Sequence, residues 1–355
     1  MAKMKSKHPL PDAPSLFPIL PARPTGIARL AADAAHADDG HLIDFRALEV
    51  RSILNRTVSR RGLPFTYSIN PYRGCEFGCR YCYARYTHEF MELRDPASFE
   101  RIIFLKQNAA WLLKQELRHI DPAEEIALGS ATDPYQPIER RACITRSLLE
   151  VFAARSGYRL GIVTKSTLIA RDLDLLCDVA KRNSLTVHIT ITTQDAVLAR
   201  KLEPRAPRPD LRFETVKKLS VAGLRVGVLC CPILPGITDS EEALDGMASR
   251  SAEAGAHFFA ANPLFLKPCS RPTYLSFVRE HFPALVSDYD KRYGHADFVS
   301  PAYRNEIATR VQRVCRRYDL GRRSVGEMMT RIPPQPAATL PFRAQIEQQP
   351  IRYAG

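Results

Sequence analysis

Six short β-rich runs, each followed by a longer stretch with helical spacing, constrain this chain more than any other feature. The runs lie at 65–69, 125–128, 158–163, 186–192, 225–229 and 257–261. Parallel neighbours need a crossover of a dozen or more residues, and a helix is the usual one. Apolar stripes supply those helices: Ala109, Leu112, Leu113, Glu116 and Leu117; then Leu148, Leu149, Phe152 and Ala153; then Leu173, Leu176, Cys177 and Ala180. Further helices are predicted over 211–221, 239–252 and 303–318. In the last, Ile307, Val311, Val314 and Tyr318 share one face while Arg310, Arg313 and Arg317 lie off it. Six such units make an α/β fold, a partial (β/α)6 TIM-type barrel of parallel strands with N- and C-terminal extensions. A short extra strand over 101–105 precedes the first crossover helix.

The chain of 355 residues is long enough for one large domain. Its organisation reads as a flexible tail and lead-in over 1–60, a core over 61–265, a helical extension over 266–331 and a tail over 332–355. No stretch approaches the roughly twenty apolar residues of a membrane span. Met1 leads into Pro-rich sequence rather than an apolar signal core, so the expectation is a cytoplasmic protein without membrane contact. In that reducing compartment nine cysteines read as metal ligands and free thiols, which excludes a disulfide scaffold. Lys and Arg exceed Asp and Glu by 51 − 38 = 13. Arg51, Arg56, Arg60 and Arg61 cluster without an acid, and eight arginines over 301–331 face only Glu306, Asp319 and Glu327. Such a surplus attracts DNA or RNA phosphates; a solvated basic face is the alternative.

Cys75, Cys79 and Cys82 stand at C-x3-C-x2-C spacing directly after the first predicted strand. Three thiolates this close can wrap one face of a 4Fe-4S cube, whose usual complement is four, so one iron is left without a protein ligand. Gly74 and Gly78 suit the tight loop this requires, because they accept positive φ without a Cβ clash. His88 offers a rival, a Cys3His zinc site in a non-enzymatic nucleic-acid-binding protein. Chemistry in parallel barrels sits at the C-terminal strand ends, and the cysteine loop falls on that rim.

With these cysteines the chain resembles the radical SAM superfamily, and Tyr81 just before Cys82 fits that pattern. Longer blocks resemble the spore photoproduct lyase, or DNA repair photolyase-like, branch: Tyr72-Arg73-Gly74-Cys75, Ala131-Thr132-Asp133-Pro134-Tyr135-Gln136-Pro137, Val163-Thr164-Lys165-Ser166 and Leu202-Glu203-Pro204-Arg205. The resemblance implies a 4Fe-4S cluster and S-adenosylmethionine as cofactors, a 5'-deoxyadenosyl radical, and an external flavodoxin- or ferredoxin-like electron donor. It implies that the region of Ser130, Thr132 and Asp133 receives the methionine amine; a capped turn is the alternative reading. Lys165 ends the third strand, where it can pair with the methionine carboxylate or lie on the surface. Thr190 and Thr192, two apart, share a face that binds amine or ribose if it is luminal. Glu203 and Arg205 contact ribose or carboxylate, or salt-bridge a loop. Pro235 lies in an apolar segment resembling the family's adenine contact.

Cys269 follows the sixth strand on the same rim and is a candidate hydrogen-atom donor. Cys143, Cys177, Cys230, Cys231 and Cys315 read as small buried residues. In spore photoproduct lyase a hydrogen-donating cysteine stands in the segment corresponding to Ser130-Ala131-Thr132, none of which is a thiol here, so thymine-dimer reversal by that route is not expected. The combined reading is a radical SAM enzyme acting on a nucleic-acid base.

Overall fold

In the computed structural model, which describes residues 43–57, 63 and 65–322, eleven strands follow one another along the chain. They are β1 Asp44–Ala47, β2 Leu54–Arg56, β3 Tyr67–Ile69, β4 Tyr72–Arg73, β5 Ile102–Leu105, β6 Glu125–Leu128, β7 Arg159–Thr164, β8 Ser184–Thr190, β9 Val226–Ile233, β10 Phe258–Pro263 and β11 Gly321–Arg322. Residues 1–42 of the expected N-terminal tail and lead-in, the end of the expected extension from 323 and the whole tail over 332–355 lie outside the described residues, as do Arg60 and Arg61.

The main sheet runs β11-β10-β9-β8-β7-β6-β3-β2. Its six inner strands β3, β6, β7, β8, β9 and β10 are mutually parallel and correspond to the six expected runs. At its outer edges β11 joins in parallel and β2 in antiparallel sense. Among the described residues the two edges are not hydrogen-bonded to each other, so the barrel is partial. The strand expected at 101–105 is β5; it belongs to a separate small sheet ordered β1-β5-β4. β1 and β2 were not anticipated. Each is three or four residues long and mostly exposed, so no apolar alternation announces it.

Strand ends moved where side chains intervene. β8 begins and ends two residues before the expected 186–192. Its lead-in is held by Asn183, whose amide donates to the carbonyls of Phe152 at 3.0 Å and Arg155 at 3.2 Å and accepts from Tyr158 N at 3.1 Å. β9 continues to Ile233, through Pro232, because its pairing with β10 resumes at Ile233 opposite Pro263 after an irregularity.

Leu160 and Ile162, Val187 and Ile189, and Val226 and Val228 are fully or almost fully buried. This is the composition of strands covered on both faces, and burying each such side chain contributes about 1.5–3 kcal/mol. Helices Ala109–Glu116, Ile144–Ala153, Leu173–Arg182, Pro209–Val221 and Glu241–Glu253 are the crossovers. Helix Pro301–Arg317 begins at Ser300, whose hydroxyl accepts from Tyr303 N, and buries Ile307, Val311 and Val314 as the spacing predicts. Its off-face arginines are not a bare basic surface. Arg310 pairs with Glu306 on its own helix, while Arg313 reaches Glu241 at 2.7 Å and Arg317 reaches Asp245 at 2.6 Å on the neighbouring one.

A second apolar cluster joins the cysteine loop to the C-terminal helices Arg271–His281 and Val286–Tyr293. Three buried tyrosines tie it together: Tyr274 and Tyr289 share a hydrogen bond at 3.1 Å, Tyr289 donates to Pro235 O, and Tyr293 donates to Leu264 O. This extension sits on the rim side of the barrel, where β9 and β10 end.

Candidate active site

The loop between β4 and the turn at Tyr83–Arg85 carries Cys75, Cys79 and Cys82 as free thiols, the first two buried and the third partly exposed. Gly74 and Gly78 have φ of +86° and +63°. A Cβ on Gly74 would meet the carbonyl oxygens of Ile102 and Phe99 at 2.7 and 2.8 Å, so the loop can approach β5 this closely only with glycine.

Four other segments grip the loop. Cys75 N donates to Phe99 O at 3.0 Å and Arg80 N to Leu202 O at 2.9 Å. Thr132 Oγ1 donates to Gly74 O at 2.6 Å, and Gln136 accepts from Glu76 N at 2.9 Å. The Glu76 carboxylate in turn accepts from Ile138 N at 2.7 Å. Arg85 donates to Cys79 O at 3.1 Å, and Arg205 donates to Glu76 O. Arg205 also lies 3.4 Å from Glu100, so it is placed as a clamp on the loop, not toward the lumen.

Behind Cys79 lies a buried charged network. Glu203 accepts from Tyr81 and, at 2.8 Å, from Thr192, while its other oxygen pairs with Arg212 at 2.5 Å. Arg212 also donates to Thr190 O at 3.1 Å, so Thr190 takes part through its main chain. Thr192 falls just beyond β8, in a bend, yet is as buried as Thr190. Burial pushes the Glu203 carboxyl up, but Arg212 and Lys165 overcome it and hold it below the ordinary carboxylate range. Lys165 feels burial downward, and Cys79 and Glu203 together leave it above its usual value. Its ammonium lies 5.7 Å from the centre of the Tyr81 ring.

Asp133 sits across from this network. Its carboxylate accepts from Thr164 Oγ1 at 2.6 Å, Tyr135 N at 2.9 Å and Lys165 N at 2.8 Å, locking the end of β6 to the end of β7. Burial raises its pKa against these hydrogen bonds. Ser130 accepts from Asn70 at 3.2 Å, and its carbonyl accepts from the Tyr83 hydroxyl. Pro235 is buried beside the extension. Cys269 is partly exposed with its sulfur 3.6 Å from Tyr83 O, one residue past Cys82.

The structure brings Tyr81, Ser130, Thr132, Asp133, Lys165, Thr192, Glu203, Arg205 and Cys269 around the loop, several with their polar atoms turned inward, while Thr190 joins through its carbonyl and Pro235 contacts the extension instead. Sequence reasoning missed Arg212, Arg85 and Gln136. Arg212 was visible in principle, since it shares a helical face with Val216 and Leu219, where an arginine needs a buried partner.

Do three thiols of this kind suit a cubane? Burial pushes the Cys75 thiol up and the Cys79 thiol up to about 12, with the charge of Asp133 adding to the first and that of Glu203 to the second, each ahead of the neighbouring cysteines. Such thiols are inert by themselves and become thiolates when metal replaces the proton. Lys165 works the other way on Cys79, favouring the anion. Among the described residues no three His, Cys, Asp or Glu side chains converge as a single metal ion requires; in a cubane each thiolate meets its own iron. The donor set fits the cluster. His88 does not join it: its Nε2 lies 2.9 Å from Ile102 O and its ring packs edge-on against Phe99 and Phe104.

Comparison with known proteins agrees with this geometry. The radical SAM superfamily model matches residues 69–247. An uncharacterized protein of Mycobacterium tuberculosis is 34% identical over 305 residues, covering 86% of this chain and 88% of that protein. One of Methanocaldococcus jannaschii is 33% identical over 175 residues, 49% of this chain and 63% of that one. Among solved structures, a spore photoproduct lyase mutant with bound AdoMet and dinucleoside spore photoproduct shares the fold with a TM-score of 0.58 at 17% identity, over 78% of this chain and 80% of the other. A second mutant of that lyase gives 0.57 at 20% identity, with the same coverage.

Proposed function

Since this chain belongs to the radical SAM superfamily and is a radical SAM enzyme, we propose that Cys75, Cys79 and Cys82 hold a 4Fe-4S cluster whose remaining iron takes S-adenosylmethionine. Were both cofactors bound there, they would supply reductive cleavage of the sulfonium, giving methionine and a 5'-deoxyadenosyl radical, chemistry that no side chain offers. The observation carrying this reading is the three-cysteine loop, gripped by four segments, with the Lys165 ammonium beside it.

The chain's own residues bind and orient. Lys165, kept protonated by Cys79 and Glu203, is the partner for the methionine carboxylate. Ser130 and Thr132 bring hydroxyls to the amine, and Asp133, with three hydrogen bonds already made, contributes its charge at a distance. Glu203 and Arg212 position Tyr81 and Thr192 around the nucleoside, and Pro235 offers apolar surface to adenine. Arg205 keeps the cysteine loop in place. Cys269 is suited to give a hydrogen atom to a substrate radical, leaving a thiyl that an external thiol must reduce.

A nucleic-acid base is the proposed substrate. The net charge of +13 supports it, as does the dinucleoside held by a protein of this fold. A flavodoxin- or ferredoxin-like protein would supply the electron. Anaerobic reconstitution with iron and sulfide tests the core of this reading: bound iron, a visible cluster band and 5'-deoxyadenosine are expected, and Cys79→Ala should abolish all three. Protein that retained zinc alone and made no 5'-deoxyadenosine would overturn it. Cys269→Ser should lower the product formed per 5'-deoxyadenosine.

A further inference from the structure

The small sheet β1-β5-β4 carries two cations that none of the roles above uses, Arg73 and Lys106. Tyr72 stands opposite Leu105 and Arg73 opposite Phe104, and Lys106 N donates to Pro71 O at 3.2 Å, so the antiparallel pairing runs on past β5. Side chains alternate between the two faces of such a pair. Tyr72 and Leu105 belong to the core, which leaves Arg73, Phe104 and Lys106 together on the other face. Arg73 and Lys106 are diagonal neighbours there, a relation that sets residues about 7–8 Å apart, within reach of one small anion for side chains this long.

Neither cation is answered by an acid among the described residues. Arg73 donates once, to Thr87 O at 3.2 Å, and the Lys106 ammonium makes no hydrogen bond or ion pair there. Arg46, across from Phe104 on β1, is paired instead with Asp44 at 2.6 Å. Lys106 is only 5% exposed, yet its ammonium is not sealed from solvent. Burial and the charge of Arg73 lower its pKa to about 8, as expected of a cation that has a like charge beside it and no counter-ion.

A buried charge is normally paired, and one left alone destabilises the fold around it. An anion arriving from solvent supplies the missing partner. The arginine fork and the three lysine donors both suit phosphate oxygens. Two cations also match the charge of a phosphate monoester near neutral pH, about −1.5 to −2, better than the single charge of a carboxylate or a backbone phosphodiester. We propose that Arg73 and Lys106 form a binding site for a dianionic phosphate, either inorganic phosphate or the terminal phosphate of a nucleic-acid strand. Arg73 stands two residues before Cys75, so the anion sits at the entry to the cysteine loop.

Isothermal titration calorimetry of the full chain with inorganic phosphate, at constant ionic strength and near neutral pH, tests the site without S-adenosylmethionine or reductant. Phosphate should bind at least about tenfold more tightly than acetate. Lys106→Met, which keeps the buried stem, should weaken phosphate binding about tenfold, and Lys106→Arg should keep most of the affinity. Should the methionine variant fail to fold, Arg73→Gln should show the same loss. A short oligodeoxynucleotide with a 5'-phosphate, and the same strand ending in a hydroxyl, are then used to displace the bound phosphate. Displacement by the phosphorylated strand alone assigns the site to a strand terminus, and displacement by neither assigns it to free phosphate. Absence of phosphate binding, acetate bound as tightly, unchanged affinity in the variants, or equal displacement by both strands would overturn the site. Its loss leaves the proposed reaction standing, because 5'-deoxyadenosine formation is measured separately.

Discussion

Gly74 and Gly78 look equivalent in the sequence, and the structure separates them. A Cβ at Gly74 would press on two main-chain oxygens that cannot retreat, whereas at Gly78 it would meet the ends of Glu100 and Arg205, which can. Gly74→Ala should therefore lose most of the iron taken up on reconstitution, and Gly78→Ala clearly less, as iron analysis would read. Arg212→Leu leaves the Glu203 carboxylate buried and unpaired, and should cost roughly 3–5 kcal/mol in urea unfolding. Adding Glu203→Gln should recover part of it. Because Arg212 and Lys165 depress the Glu203 pKa, the stability it contributes is present above the ordinary glutamate range of about 4.3 and is lost as pH falls through its lower folded value. Lys106 runs in the same sense for a different reason, burial without a partner. Burial, with help from Arg73, lowers its pKa to about 8, so between about 8 and the unfolded value of about 10.4 the unfolded chain holds the proton that the folded chain has released. Stability should rise with pH across that window in the parent and lose that rise in Lys106→Met, seen as the difference between their urea midpoints.

Elements with strong apolar periodicity were legible, because burial of one face is written into the spacing. Helix Pro301–Arg317 is the clearest case, with Ile307, Val311 and Val314 inward as predicted. The fate of its arginines was not legible, since Glu241 and Asp245 lie about seventy positions away in sequence and reach them only when two helices pack side by side. These pairs are more than a quarter exposed on each side, and such pairs contribute about 0–1 kcal/mol. Arg313→Ala and Arg317→Ala should each move the urea midpoint little, and neither should change the salt dependence of oligonucleotide binding. Strands β1 and β2 escaped the pattern for the opposite reason: exposed residues on short edge strands carry no period.

At the scale of the whole molecule, the cysteine loop is where segments from β5, β6, the loop after β8 and the C-terminal extension meet. A group bound there in the folded state alone must stabilise the entire barrel. Reconstituted protein should thus melt at a higher temperature than the metal-free form under anaerobic conditions, and Cys79→Ala should show no such gain. The net charge of +13 belongs to this scale too. Ion pairs such as those of Arg313 and Arg317 engage particular cations without reducing this excess, so binding of nucleic acid depends on where the other cations sit.

The sequence alone determined the barrel of six parallel strands and the three-cysteine loop on its rim, because both are encoded by short-range spacing: apolar period, glycine placement and cysteine offsets. Only the tertiary structure decided which polar atoms face the lumen. Glu203 and Arg205, two apart in sequence, point to different tasks, one to Arg212 and Tyr81 and the other to Glu76 and Glu100. Buried polar groups must find partners, and those partners come from distant segments that no local pattern brings together.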